Sequence, residues 1–201
     1  MTKIDIEWMQ MAFFKTSLKK NKVWLGTSNM HKVREALEIL APYGIKLEHY
    51  PLERIEIQAD DLAEVAAYSL KTVPVEIPIV IEDAGIFISY YDGFPGPYSS
   101  YVLKRLNNPG ILKLMEDIED RSARYLSAVA YRDENGVQIF RGTVEGSISD
   151  RIRGTNGFGY DPIFIPKEGD GRTFGEMSDA EKNMISHRAR AFQALAEWLT
   201  Q

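Results

Sequence analysis

Pro78-Ile79-Val80-Ile81-Glu82-Asp83-Ala84-Gly85 reads as a buried strand that ends in two adjacent carboxylates and two small residues. A short apolar run between turn-forming residues has the pattern of a core strand in an α/β protein. In such folds ligands bind in the crevice outside the carboxyl ends of the strands. An ionised carboxylate there costs free energy unless a cation, a donor or a metal compensates it. A strand end that turns its acids into solvent fits the octapeptide equally well, so the flanking chain has to decide.

Upstream, Lys22-Val23-Trp24-Leu25-Gly26-Thr27 reads as the first buried strand. It leads through Ser28-Asn29-Met30-His31-Lys32 into a helix whose apolar face is Val33, Ala36, Leu37 and Leu40. Asn29 suits the N-cap. Lys32 and Arg34, with His31, then occupy the first turns, where the helix dipole favours negative charge. An anion held by free backbone N–H groups and the lysine resolves the conflict; solvated surface cations are the alternative, at a cost of only tenths of a kcal/mol. Pro42 and Gly44 close this helix and residues 45–50 form a second strand. Glu53-Arg54-Ile55-Glu56-Ile57-Gln58 alternates polar and apolar before Asp61, which suits the cap of a helix through Leu62, Val65, Ala66, Leu70 and Val73. Lys71 lies near the end of that helix, a position the dipole alone explains.

Downstream, residues 86–88 continue the strand, and Asp92-Gly93-Phe94-Pro95-Gly96-Pro97-Tyr98 is a stiff loop able to shape a pocket wall. Residues 98–106 and 110–115 predict two short helices. Alternation over 123–131 and 137–144 predicts an antiparallel hairpin, with Asn135-Gly136 as its turn signal. A further strand segment is expected over 146–152. Gly154-Thr155-Asn156-Gly157-Phe158-Gly159-Tyr160-Asp161 surrounds two aromatics with glycines. It is either a loop running into a strand or a backbone that lets a flat ligand approach a stacking face. Ser178-Asp179-Ala180-Glu181 is a capping-box pattern. A last helix starts near Ser186 and buries Ala189, Phe192, Leu195, Ala196 and Leu199. His187 and Arg188 make it the second helix to begin with cations, and with Lys182 one turn upstream they point to a polyanion held between two helix starts. There is no Walker A pattern, so the grip is not a P-loop.

The chain has 201 residues, enough for one large or two-lobed domain, and 24 basic against 29 acidic residues give a net charge of −5. That balance supplies no broad cationic field for a nucleic acid, and no apolar run reaches membrane-spanning length. Cysteine is absent, which excludes disulfides and thiolate chemistry and fits a reducing cytoplasm. Residues 1–21 read as an extension with amphipathic helical spacing at Ile4, Trp8, Met11, Phe14 and Leu18; its acidic residues disagree with a targeting sequence.

Taken together these motifs resemble the inosine triphosphate pyrophosphatase family, the RdgB-type hydrolases of noncanonical purine nucleoside triphosphates. Thr27 to Lys32 is similar to the family's Thr-x-Asn-x-x-Lys loop, Glu82-Asp83-Ala84-Gly85 to its acidic strand end and Phe94 to Tyr98 to its Pro-Gly loop. Gly157 to Phe164, and Glu181-Lys182 through Ser186-His187-Arg188, look like its base-binding and C-terminal signatures. The resemblance implies an α/β fold with two lobes around a long mixed β-sheet, the active site in the cleft between them, over residues 22–201. It also implies a homodimer that cleaves ITP, dITP and XTP to monophosphate and pyrophosphate with Mg²⁺. Carried over by position, Asp83 is the catalytic acid that binds metal and orients or deprotonates water, and Glu56 is the second metal ligand. Thr27, Asn29, Lys32, Lys71 and Lys182 hold the triphosphate, and Ser28, Met30, His31 and Ala84 are substrate-binding residues beside them in the same motifs. Phe158, Gly159, Tyr160, Asp161, His187 and Arg188 belong to the purine side and select a 6-keto ring over adenine.

Two positions depart from the pattern: Ala84 stands where many members have Ser or Thr, and Ser100 where some have Lys. Adjacent strand residues point to opposite faces, so Glu82 is expected to turn away if Asp83 faces the substrate. A nucleotide-binding regulator that has lost its chemistry, and a dimerisation module, are the readings from other functional classes.

Overall fold

The acidic octapeptide becomes most of one long strand, Ile79–Ile88, eight of whose ten residues are buried and whose two acids fall in its middle. The computed structural model describes residues 22–201, so the helical spacing expected over residues 1–21 lies outside the described residues. Six strands form one mixed sheet: β1 (Lys22–Gly26), β2 (Lys46–Tyr50), β3 (Ile79–Ile88), β4 (Ser122–Asp133), β5 (Gly136–Ile148) and β6 (Phe164–Pro166). Their spatial order is β2-β1-β3-β4-β5-β6, parallel from β2 to β3 and antiparallel from β3 onward.

The helices follow their sequence signals. In α1 (Met30–Leu40), Asn29 is the N-cap, and the chain leaves through a turn at Ala41–Tyr43 that ends on Gly44 at φ 68°, a conformation glycine adopts without strain. Asp61 caps α2 (Leu62–Lys71) by accepting the Ala63 N–H at 2.9 Å. The two short helices expected over 98–115 are the arms of α3 (Ser99–Leu114), broken at Asn107, whose φ of 54° and ψ of −178° are not helical. Ser178 and Glu181 form the expected capping box of α4 (Asp179–Ile185). Ser186 caps α5 (His187–Leu199), which buries all five apolar residues named for it.

Two expectations over the hairpin change. The segment 146–152 is not a separate strand: β5 runs unbroken to Ile148. Gly146 sustains it, since a Cβ there would lie 2.2 Å from the Ile165 carbonyl oxygen and bar β6 from pairing. The two-residue connection is Glu134-Asn135, with Gly136 already paired to Asp133 in the ladder.

Two apolar clusters sit along the sheet. One joins α1 and α5 to Val23, Leu25 and Val80; the other joins α3, β6 and the turn at Phe174 to Ile86 and Ile88, at the far end of β3. Each fully buried large side chain in them, such as Phe192 or Phe164, contributes roughly 1.5–3 kcal/mol of transfer free energy. These are the two lobes, and β3 passes through both. A third cluster packs α2 onto Ile79 and Ile81 from the opposite face. Because β1 stops at Gly26, its pairing with β3 ends at Leu25–Val80, and that edge of β3 stays uncovered until the Phe87–Pro95 bridge near its far end. The site lies at this uncovered edge.

Candidate active site

A cavity of about 400 Å³ opens where β1 ends beside β3. Its lining includes Thr27, Ser28, Asn29, Lys32, Glu56, Asp83, Ala84, Phe158, Gly159, Tyr160, Asp161, Lys182, His187 and Arg188. Three other residues named from the sequence do not line it. Met30 is 52% exposed, His31 stacks on the Phe158 ring with centroids 5.1 Å apart, and Lys71 is exposed in the last turn of α2.

The first loop is built around Asn29. Its N–H donates to Thr27 Oγ1 at 3.1 Å, and its Oδ1 accepts the N–H groups of His31 at 2.9 Å and Lys32 at 3.5 Å. Those two N–H groups are therefore taken by the cap, which corrects the expectation that they stand free for an anion. Lys32 instead reaches across the end of β1, where its Nζ lies 2.7 Å from Glu82 Oε2 and donates to the Glu82 carbonyl at 3.2 Å. That carbonyl also accepts from Arg54 Nη1 at 3.1 Å, so two cations bind a strand-edge oxygen that β1 leaves free.

The two adjacent acids have opposite surroundings. Glu82 is 2% exposed; its Oε1 accepts from Ser127 Oγ at 2.8 Å and lies 3.1 Å from Arg188 Nη2. Burial alone would raise its pKa, but Arg188 and Lys32 outweigh burial and hold the carboxyl well below the usual range. Asp83 faces the cavity, and its buried Oδ2 has no hydrogen-bond partner among the described residues. Burial pushes Asp83 up to about 6 against the pull of Lys32 and Arg54, and Glu56 and Glu82 add to the rise. Glu56, half exposed, accepts from Arg54 Nη2 at 2.5 Å; the same nitrogen lies 3.8 Å from Asp83 Oδ1.

No cluster of three or more acidic, His or Cys side chains suited to a metal occurs among the described residues. The pair Glu56 and Asp83, drawn to one guanidinium and leaving a buried carboxylate oxygen unpartnered, does fit a hard cation that shares one or two carboxylates with substrate phosphates.

Along the cavity wall, six charges alternate in sign. Lys182 Nζ donates to Asp161 Oδ2 and to Glu35 Oε1, both at 2.7 Å. Glu35 Oε2 then accepts from Arg188 Nη1 at 2.5 Å, and Arg188 leads through Glu82 to Lys32. Lys182, Arg188 and Asp161 are each 2% exposed. Burial would lower the Lys182 pKa, but Asp161 and Glu35 overcome it and keep the ammonium charged. Glu35 escaped the sequence reading. The available signal was an acid one turn after Lys32 and one turn before Ile39, on a helix face that turns inward.

Elsewhere in the cavity lining, the His187 and Tyr125 rings stack at 4.3 Å with 4° between their planes. Burial first, then Arg188 and Lys182, drive the His187 pKa well below its usual value, so the imidazole is neutral. Its buried Nδ1 has no partner among the described residues. Phe158 is anchored by its N–H, which donates to Asp161 Oδ2 at 2.8 Å. Gly157, at φ 70°, leaves room for this contact: a Cβ there would lie 2.2 Å from the same oxygen. Asn108 Nδ2, just past the break in α3, donates to the Gly159 carbonyl at 3.1 Å. Arg54, Tyr125 and Lys104 also line the cavity and were not foreseen; Lys104 stands one turn beyond Ser100, which lines it too.

The sequence model of the Ham1 family matches residues 23–198. A dITP/XTP pyrophosphatase from Hyperthermus butylicus is 44% identical over 181 residues, covering 89% of this chain and 95% of the relative. The Saccharolobus solfataricus protein of the same name is 47% identical, over 89% and 93%. The structure of a HAM1 protein from Coxiella burnetii superposes with a TM-score of 0.78 at 30% identity, covering 89% of this chain and 98% of that one. The match across nearly the whole described chain, on the expected two-lobed fold, shows that this protein belongs to the Ham1 family.

Proposed function

We propose that the protein hydrolyses the noncanonical purine nucleoside triphosphates ITP, dITP and XTP to monophosphate and pyrophosphate, with Mg²⁺ as cofactor. The observation that carries this reading is Asp83: a cavity-facing carboxyl with a free buried oxygen and a pKa near 6, between cations on one side and an aromatic cleft on the other. The relatives' shared name, dITP/XTP pyrophosphatase, supports the substrate class.

In this reading Asp83 orients a water and takes its proton. The water oxygen bonds to the α-phosphorus as the bond to the α,β-bridging oxygen breaks, and pyrophosphate leaves. Glu56 and Asp83 would hold Mg²⁺, which when bound neutralises phosphate oxygens and the leaving group. Thr27, Ser28, Asn29 and Lys32 receive the triphosphate at the uncovered edge of β3, with Lys182 fixed behind them. The purine enters beside Phe158, Gly159, Tyr160 and Asp161. A neutral His187 protonated at Nδ1 donates to a 6-keto oxygen, whereas adenine offers a 6-amino donor that cannot accept. Arg188 holds this wall in place. The homodimer and the cytoplasmic location belong to the same proposal; among the described residues no helix is long and apolar enough to cross a membrane.

Pyrophosphate release from ITP, XTP, GTP and ATP, measured with and without Mg²⁺, tests the reading. Mg²⁺-dependent turnover of ITP and XTP well above GTP and ATP is expected. No turnover, or equal turnover of all four, overturns it.

A further inference from the structure

Arg54 is the cation that touches both carboxylates proposed for the metal. Its Nη2 lies 2.5 Å from Glu56 Oε1 and 3.8 Å from Asp83 Oδ1, while Nη1 donates to the Glu82 carbonyl at 3.1 Å. The side chain is 11% exposed and lines the cavity. It differs from Arg188 in its support: Arg188 is fixed on a helix among buried acids, whereas Arg54 comes from a stretch between β2 and α2 that has no regular secondary structure.

A guanidinium cannot shed its charge. A divalent cation taking the Glu56 and Asp83 oxygens therefore meets a fixed positive charge already placed on them, and the two compete for the same donors. The guanidinium also carries more N–H groups than these contacts use. On the other side of the Glu82 carbonyl, the Lys32 ammonium lies at 3.2 Å and also lines the cavity. Two cations anchored on one carbonyl, both bordering the cavity, form a fork suited to a phosphate oxygen.

We propose that Arg54 is an exchangeable counter-ion: it neutralises Glu56 and Asp83, yields them to a divalent cation, and then binds a triphosphate oxygen beside Lys32. The inference rests on the assignment of Glu56 and Asp83 to the metal. It makes Arg54 an opponent of metal binding without nucleotide and a substrate ligand with it, a combination that a purely structural arginine does not produce.

Calorimetric titration with Mn²⁺ alone, followed by steady-state kinetics with ITP at saturating Mg²⁺, tests this on the wild type, Arg54→Gln, Arg54→Lys and Glu56→Gln. Arg54→Gln is expected to bind Mn²⁺ about tenfold more tightly than the wild type and to raise KM for ITP about tenfold, with kcat less affected. Arg54→Lys, which keeps the charge, recovers most of the KM. Unchanged or weaker Mn²⁺ binding in Arg54→Gln, or an unchanged KM, overturns the proposal. Wild-type Mn²⁺ affinity in Glu56→Gln instead overturns the metal assignment itself. Weakened binding in Glu56→Gln beside no change in Arg54→Gln removes the role of Arg54 alone.

Discussion

Arg188 in the last helix donates to Glu35 in the first at 2.5 Å, across 153 residues of sequence, and Glu35 gives its other oxygen to Lys182. One carboxylate thus sits between two buried cations that reach the cavity from different helices.

Removing Glu35 leaves those cations short of a partner. Glu35→Ala is expected to lower stability by about 3–5 kcal/mol, the usual cost of breaking a buried ion pair from one side. Denaturant unfolding measures it. Glu35→Gln, which keeps an acceptor of the same size, is expected to lose less and to keep a lower KM for ITP than Glu35→Ala.

Asp83→Asn separates chemistry from stability. With Asp83 as the proposed base, the substitution is expected to lower turnover of ITP by about 10²-fold or more. Stability moves the other way. With a folded-state pKa raised from 3.8 to about 6, the native protein binds more protons than the unfolded chain in that window. The contribution of Asp83 is therefore lost as pH rises from about 4 to about 6, and it stays lost above. At neutral pH the asparagine variant should be more stable by up to about 3 kcal/mol. Urea unfolding on either side of the window, in chelator, shows a pH slope in the wild type that the variant reduces.

His187→Ala is expected to narrow the preference for ITP over ATP by roughly tenfold, as loss of one hydrogen bond to the 6-keto oxygen predicts. The ratio of kcat/KM for the two nucleotides measures it. Because the imidazole is already neutral, the wild-type preference should stay constant as pH rises through the range where an ordinary histidine titrates.

Gly85→Ala tests how closely the Pro-Gly loop is seated. The added Cβ would lie 2.2 Å from the Gly96 carbonyl oxygen and 3.0 Å from Ser99 Oγ. Ser99 Oγ is itself fixed, accepting the Ile86 N–H at 2.9 Å and donating to the Gly96 carbonyl at 2.6 Å. Overpacking of this kind costs about 1–3 kcal/mol. A lower melting temperature with a raised KM for ITP is the expected result.

Most of the fold was legible because its signals are local. The Asn29, Asp61 and Ser178 caps, the break before Gly110 and the inward face of α5 are each decided within a few residues. The far end of β5 was not, because where it stops is set by its partners, β4 as far as Ser147 and β6, which arrives from a later part of the chain, from Gly146 to Ile148. The site was legible where a motif carried it and dark where a tertiary contact did. Arg54 stands two residues from Glu56 in sequence, yet its importance comes from reaching Asp83 and the Glu82 carbonyl. Tyr125 was one more alternating strand residue until His187 stacked on it.

Two neighbouring acids make this chain vulnerable to a slip of one residue, which would bring the longer, firmly ionised Glu82 into the cavity and turn Asp83 toward the Ser127 hydroxyl. The ladder that pairs every residue of β3 with β4, from Ile79–Arg132 to Ile88–Ala123, guards against that error. The 12- and 13-residue strands of the neighbouring hairpin, long beside a loop-built site, can be understood as a ruler whose length suppresses miscounting. Fidelity of strand alignment during folding is then as much a condition of activity here as the chemistry of the carboxylate.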